Sequence, residues 1–128
     1  MKIAIATKEN WTRVSGHAGQ AREWLLFDCQ SGKTIPPPIK IRLSKEQLPH
    51  YFKDDAPHPL HNVEILIAAS AGDGYIRHMA KWGSEVLLTG EIDPIVAIHK
   101  VCHGGVLAER QFDMTTTLCK LRDFFSRH

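Results

Sequence analysis

Cysteine is scarce: Cys29, Cys102 and Cys119 are the only three in 128 residues. They are too few and too scattered for a disulfide scaffold. Charge of one sign is equally lacking, with 16 basic residues set against 14 acidic ones for a formal net charge of +2. A dedicated nucleic-acid binder carries a basic patch or stripe, so so slight an excess argues against that class. No apolar run approaches the ~18–20 residues of a membrane helix. The opening Met-Lys-Ile-Ala-Ile-Ala looks like the front of a secretory signal, but Lys8, Glu9 and Asn10 interrupt it and no long hydrophobic region follows. The expectation is a soluble cytoplasmic protein.

Motifs of common enzymes are missing too. There is no C-x-x-C, no H-E-x-x-H and no G-x-S-x-G. The three-glycine dinucleotide fingerprint and the phosphate loop ending in Lys-Ser/Thr are likewise absent. Ser15, His17, Asp28 and Asp73 contain the residue types of a hydrolytic triad, but no strained elbow presents a nucleophile. A two-metal nuclease would need acids at matched strand positions. Lys2 to Ala6 offers none.

What is present suits one α/β domain. The composition is 43% hydrophobic and 23% charged, an ordinary balance for a folded chain. A chain of this length buries roughly two thirds of its unfolded surface, enough for a core without staples. Lys2 to Ala6 reads as a buried strand, and Ala21 to Cys29 as a second around the apolar run Trp24 to Phe27, followed by a turn at Ser31-Gly32-Lys33. Pro36-Pro37-Pro38 lacks ladder donors and stands outside any sheet. Beyond it Ile39, Ile41 and Leu43 alternate with Lys40, Arg42 and Ser44, the period of a half-exposed edge strand. The three strands together suggest an antiparallel meander.

The stretch 46–62 is a loop or short helical segment containing Pro49, His50, Pro57, His58, Pro59 and His61. The character of the chain then changes. Glu64 to Ala69 is an almost unbroken apolar strand, as expected under cover on both faces. Gly72-Asp73-Gly74 ends it, and Tyr75, Ile76, Met79, Ala80 and Trp82 follow at helical spacing up to Gly83. Glu85 to Leu88 starts a second unit, with Asp93 as helix cap and Pro94 at the first helical position. Ile95, Ile98, His99 and Cys102 share one face before Gly104-Gly105. Two such units imply parallel strands with right-handed crossovers. Met114, Leu118, Leu121 and Phe125 then form a helical stripe, to pack on the same sheet or to meet a partner.

Three places could carry chemistry. Gly72, Asp73 and Gly74 stand at the carboxyl end of a strand, where open α/β sheets commonly bind ligands, and glycines let backbone N–H groups approach an anion. The same glycines could serve only a tight turn. In Ser15-Gly16-His17-Ala18-Gly19 the imidazole is sterically open and chemically suited to iron, or is an ordinary loop residue. Cys102-His103 pairs a thiol with an imidazole as a soft-metal site would, although Cys102 also falls on an apolar stripe where cysteine acts as a small hydrophobe. His50, His58 and His61 form a loose histidine group with surface or structural roles. His99, Cys29 and Cys119 read as structural.

The opening strand, the segment Val14-Ser15-Gly16-His17-Ala18-Gly19-Gln20-Ala21 and the strand end Phe27-Asp28 resemble the dinitrogenase iron–molybdenum cofactor biosynthesis family. That group includes the NifX and NafY carriers and the C-terminal part of NifB. The match continues more loosely through Val63–Gly74, Glu85–Gly90 and the proline-started helix. It covers roughly residues 1–105 as a cofactor-binding domain, leaving 106–128 as a linker and amphipathic helix. The resemblance implies a ribonuclease-H-like three-layer fold, a mixed five-stranded sheet with helices on both faces. It implies non-catalytic binding or carriage of an iron–molybdenum cofactor or an iron–sulfur precursor, held loosely and passed between nitrogenase-assembly or other metallocluster-handling proteins. His17 would touch that cofactor, with Ser15 and Gly19 shaping its loop and Gly72, Asp73 and Gly74 contributing from the neighbouring rim. His17, Cys102 and His103 are the candidate metal ligands. Ala18 departs from the aromatic usual after the histidine. A partner-binding scaffold and a phosphate-ligand-binding regulator or enzyme are the alternatives, and a homo-oligomer is left open.

Overall fold

The computed structural model describes residues 1–30, 34–49, 51–54 and 56–102. The turn at 31–33, His50, His103, Gly104-Gly105, Cys119 and the stripe from Met114 to Phe125 lie outside them. Strand β1 (Lys2–Lys8) is the centre of the sheet, and all its residues from Ile3 to Thr7 are buried. A tight loop turns it into the two-residue β2 (Arg13–Val14), which pairs back antiparallel. Glu9, Asn10 and Trp11 hold left-handed backbone there, at φ of 55°, 58° and 62°. Three such residues in succession are costly, and the tip is held by specific bonds. The Trp11 N–H donates to Glu23 Oε1, its indole N–H donates to the Ile41 carbonyl, and Thr12 Oγ1 donates to the Glu9 carbonyl.

Strand β3 (Glu23–Asp28) lies antiparallel to β1, with Ile3 opposite Phe27, and β4 (Ile39–Arg42) lies antiparallel to β3. The expected meander is therefore present, with β4 at the edge. Its alternation is only half used. Leu43 is buried just beyond β4, but Ile39 is 63% exposed because the packing of the sheet face ends short of it. On the opposite face Lys40 and Arg42 lie over the Trp11 ring.

After the loop, β5 (Ile65–Ala68) pairs parallel with β1, and helix α1 (Asp73–Lys81) leads to β6 (Glu85–Leu88), parallel with β5. Gly83, at φ +80°, reverses the chain between α1 and β6 as only glycine does without strain. Helix α2 (Pro94–Cys102) completes the second unit. The sheet order is β4-β3-β1-β5-β6, with β2 attached to β1. Five strands form the path, as expected, and the two-residue β2 makes six.

The period of two divides the core into two layers. On one face Ile3, Ile5, Leu25, Phe27, Ile65 and Ile67 pack against Ala97, Ile98, Val101 and Cys102 of α2. On the other Ala4, Ala6, Trp24, Leu66 and Ala68 pack against Tyr75 and Met79 of α1 and Leu60 of the long loop. The fold is thus a three-layer α/β sandwich. The buried face of α2 is Pro94, Ala97, Ile98, Val101 and Cys102, so Ile95 and His99 are exposed rather than packed. Among the described residues no helix is long and apolar enough to cross a membrane.

Candidate functional site

The parallel strands β1, β5 and β6 end at one rim of the sheet. The chain from Ser15 to Gly19 is wedged between the first two. The Ser15 N–H donates to the Ala6 carbonyl at 2.8 Å, and the Ser15 carbonyl accepts from the Ala69 N–H at 2.9 Å. One residue thereby bridges the carboxyl ends of β1 and β5 where the ladder between them stops. The Ala18 N–H donates to the Ser70 carbonyl at 3.0 Å, and Ser70 Oγ donates to the Gly16 carbonyl. The segment that carries His17 and the segment that leads to Gly72 are therefore stitched into one surface. A third loop joins through the Val14 N–H, which donates to the Ile92 carbonyl at 2.8 Å.

His17 stands on this surface in an extended conformation, φ −141° and ψ 95°, just ahead of a 3-10 turn at Ala18–Gln20. Its N–H points back to Ser15 Oγ at 3.3 Å, and its imidazole is exposed. Ser15 itself is buried and shapes the loop by these three bonds. Gly19 lies against α1, since a Cβ there would meet Tyr75 Cδ2 at 3.6 Å.

Gly72, Asp73 and Gly74 are not a turn that ends before the helix. Gly72 caps α1 and the other two form its first turn. Gly72 has φ −73°, available to any residue, and a Cβ there, or at Gly16, would meet nothing within 4 Å. Neither backbone strain nor crowding inside the chain requires glycine at these two positions; both leave open space above the rim. Gly72 supplies no capping side chain, so the first amides of α1 keep the free donors that helix starts possess. Asp73 complements the positive end of its own helix but repels an approaching anion. Arg77 offsets it, with Nη2 3.9 Å from the position of a Cβ on Gly74. Sequence reading missed Arg77; its place one turn along the helix from the glycine pair was the available signal. The start of α2 is closed instead, because Asp93 Oδ1 accepts the Ile95 N–H at 2.8 Å.

The proposed metal ligands do not come together. The Cys29 N–H bonds to the Met1 carbonyl, and Cys102 Sγ lies 3.4 Å from Cys29 Sγ, so both cysteines sit at the amino end of β1. His17 sits beyond its carboxyl side, at the level of Ala6. Five residues of strand separate the two places by roughly 16 Å. His103 lies outside the described residues. The Cys102 thiol donates to Cys29, which holds the Cys29 thiol below its usual range and pushes that of Cys102 up. Among the described residues no three His, Cys, Asp or Glu side chains are grouped to hold a metal ion.

In the histidine-rich loop His58 and His61 are structural. His58 is buried; its Nε2–H donates to the Gln47 carbonyl at 2.7 Å, while Nδ1 accepts the Leu60 N–H at 3.0 Å. His61 Nδ1 accepts the His58 N–H. Burial holds the His58 pKa below its ordinary value. The His61 and Phe52 rings pack edge-on against Trp82 and the His58 ring is tilted against it, and His78 of α1 joins them edge-on while pairing with Asp54 at 3.1 Å. Beneath lies a narrow cleft, partly open to solvent, walled by Ala18, Trp24, His58, Tyr75, Met79 and Trp82.

No protein-family model matches the chain, and no curated protein matches it in sequence. Solved structures do match in shape. The crystal structure of PH0822 superposes with a TM-score of 0.64 at 24% identity, over 88% of this chain and 97% of that one. The proposed dinitrogenase MJ0327 of Methanocaldococcus jannaschii gives 0.63 at 15% identity, over 88% and 97%. The NMR structure of a proposed NifB protein from Thermotoga, TM1290, placed in the DUF35 family, gives 0.56 at 19% identity, over 88% and 96%. At these identities the likeness is one of fold: the described residues are built on the same α/β scaffold as these three proteins.

Proposed function

We propose that this protein binds and carries an iron–molybdenum cofactor or an iron–sulfur precursor, without catalysing a reaction, through the rim that holds His17. One observation carries the reading. The exposed imidazole stands on a loop bonded to Ala69 and Ser70, the segment that leads into α1, and Gly16 and Gly72 leave the space above them clear. A preassembled anionic cluster needs few protein ligands. One imidazole, the first amides of α1 and the Arg77 guanidinium suit such a cargo, and a single side-chain ligand lets it leave again. The same donor set does not suit assembling a cluster from free ions, which requires several thiolates. The names of two structural neighbours, a proposed dinitrogenase and a proposed NifB protein, agree with this cargo. Nitrogenase-assembly or other metallocluster-handling proteins would be the donor and the acceptor.

In this reading Ser15 and Gly19 fix the loop, Gly16 and Gly72 give access, Gly74 lies beside the Arg77 guanidinium, and Asp73 weakens the grip on a negative cargo. Cys102 takes no part, because it lies at the other end of the sheet. Anaerobic titration of the purified chain with isolated cofactor, followed by its absorption and electron paramagnetic resonance, tests the proposal. Binding that His17→Ala abolishes in a chain of unchanged fold supports it. Unchanged binding in that variant removes His17 from the site, and absence of binding to the native chain ends the reading.

A further inference from the structure

The carriage reading leaves unused the pair of sulfurs at the far end of the sheet. Cys29 directly follows β3, and Cys102 ends α2, 73 positions later in the chain. Helix direction explains the meeting. Helix α2 starts at the carboxyl end of β6 and runs back for nine residues, about 13 Å, which is the length of a four-residue strand. Its last turn therefore arrives beside the amino end of β1, where the Cys29 N–H is tied to the Met1 carbonyl at 2.8 Å. Both cysteines are free and buried, at 1% and 7% exposure, within the cluster that contains Ile3, Phe27, Ile98 and Val101.

Two thiols meet across two elements, with no third ligand grouped beside them among the described residues. That arrangement suits a sulfur–sulfur bond better than a metal site. The Sγ atoms stand 3.4 Å apart, and a disulfide needs about 2.05 Å. Rotation about the side-chain torsions of the two cysteines can supply that approach. The hydrogen bond between the sulfurs also assigns them different parts: Cys102 donates and Cys29 accepts, which favours the thiolate at Cys29.

We propose that Cys29 and Cys102 form a redox-active dithiol that closes to an intrachain disulfide on oxidation by hydrogen peroxide, a reagent small enough to reach a buried sulfur. The Cys29 thiolate, its proton released to solvent, attacks one peroxide oxygen. A sulfur–oxygen bond forms, the oxygen–oxygen bond breaks, and the departing hydroxide takes up a proton to become water. Cys102 then attacks the Cys29 sulfenic acid. The sulfur–sulfur bond forms, the sulfur–oxygen bond breaks, and the hydroxyl leaves as water with the Cys102 proton. In sum two thiols lose two electrons and two protons, and one peroxide becomes two waters. The neighbouring thiol intercepts the sulfenic acid before a second peroxide can carry it to the irreversible sulfinic state.

The test uses the full chain as wild type and as Cys119→Ser, which leaves only this pair. Each is treated with one equivalent of hydrogen peroxide, alkylated under denaturing conditions and mapped by non-reducing peptide mass spectrometry. The expected result is a loss of two hydrogens from the intact mass, one linked peptide containing Cys29 and Cys102, reversal by dithiothreitol, and a raised Tm for the oxidised form. Three outcomes overturn the proposal: both thiols surviving the treatment, sulfinic acid at either residue without a cross-link, or cross-links formed preferentially to Cys119 or between chains.

Discussion

The two ends of the sheet are built on opposite plans. At the carboxyl end, loops between elements carry an exposed histidine, open glycines and uncapped amides. At the amino end the chain is closed: Cys29 and Cys102 are buried, and Ile3 and Phe27 fill the register beside them. The first end can change its surface groups with little cost to folding, whereas the second cannot. Stability and binding should therefore separate along the strand axis, and the substitutions below test that separation.

The largest effect belongs to the closed end. Phe27→Ala should cost about 3–5 kcal/mol in denaturant unfolding, a large share of the stability of a domain this size. The protein that remains folded should still bind cofactor with native affinity; loss of both together would dissolve the distinction. At the open end His17→Ala should do the reverse. Cofactor affinity should fall about tenfold or more, equivalent to about 1.4 kcal/mol, while the urea midpoint stays put because the side chain is exposed.

A smaller effect follows from His58. Burial depresses its folded pKa below the unfolded value, so as pH falls through about 6.5 the unfolded chain takes up a proton that the folded chain does not. Stability is full above that pH and declines below it, down to the folded pKa. Protonating Nδ1 would displace the Leu60 N–H that it accepts. Unfolding midpoints between pH 7.5 and 5.5 should show this decline, and His58→Gln should flatten it. An unchanged slope in the variant would remove His58 as its cause. The smallest change is expected for Asp73→Asn, which removes the negative charge facing the rim and should tighten binding of an anionic cofactor about two- to fivefold at low salt. Weaker binding would mean that the carboxylate takes part as a ligand.

These two ends also differ in how far the sequence disclosed them. Strand Glu85–Leu88 and the helix start at Asp93-Pro94 were legible because local signals, an apolar run and a cap with proline, coincide with the observed bounds. The loop of His17 was visible as a candidate because its two glycines are local as well. Its bonds to Ala69 and Ser70 were not, since they join residues more than fifty positions apart. The thiol pair was hidden for the same reason, and it appears only once α2 is known to run back along the sheet. Alternation over Ile39 to Leu43 predicted the strand correctly, yet it overstated burial at Ile39, because periodicity reports a face and not what lies on it. Ile95 and His99 were assigned to the wrong side of α2 by a stripe that the real contact at Ala97 and Val101 displaces.

The bonds that join the Ser15–Gly19 loop to β5 have a consequence for how this rim can diverge. Those at Ser15 and Ala18 run between main-chain atoms, and the one at Gly16 is received by a carbonyl. The shape of the cradle thus depends little on which side chains occupy positions 16 and 17, whereas Ala18 is packed into the core. Replacing those two can retune what is held, from a metal cluster to some other anion, while the scaffold beneath stays as it is. A surface of this kind can inherit its form and acquire its cargo separately.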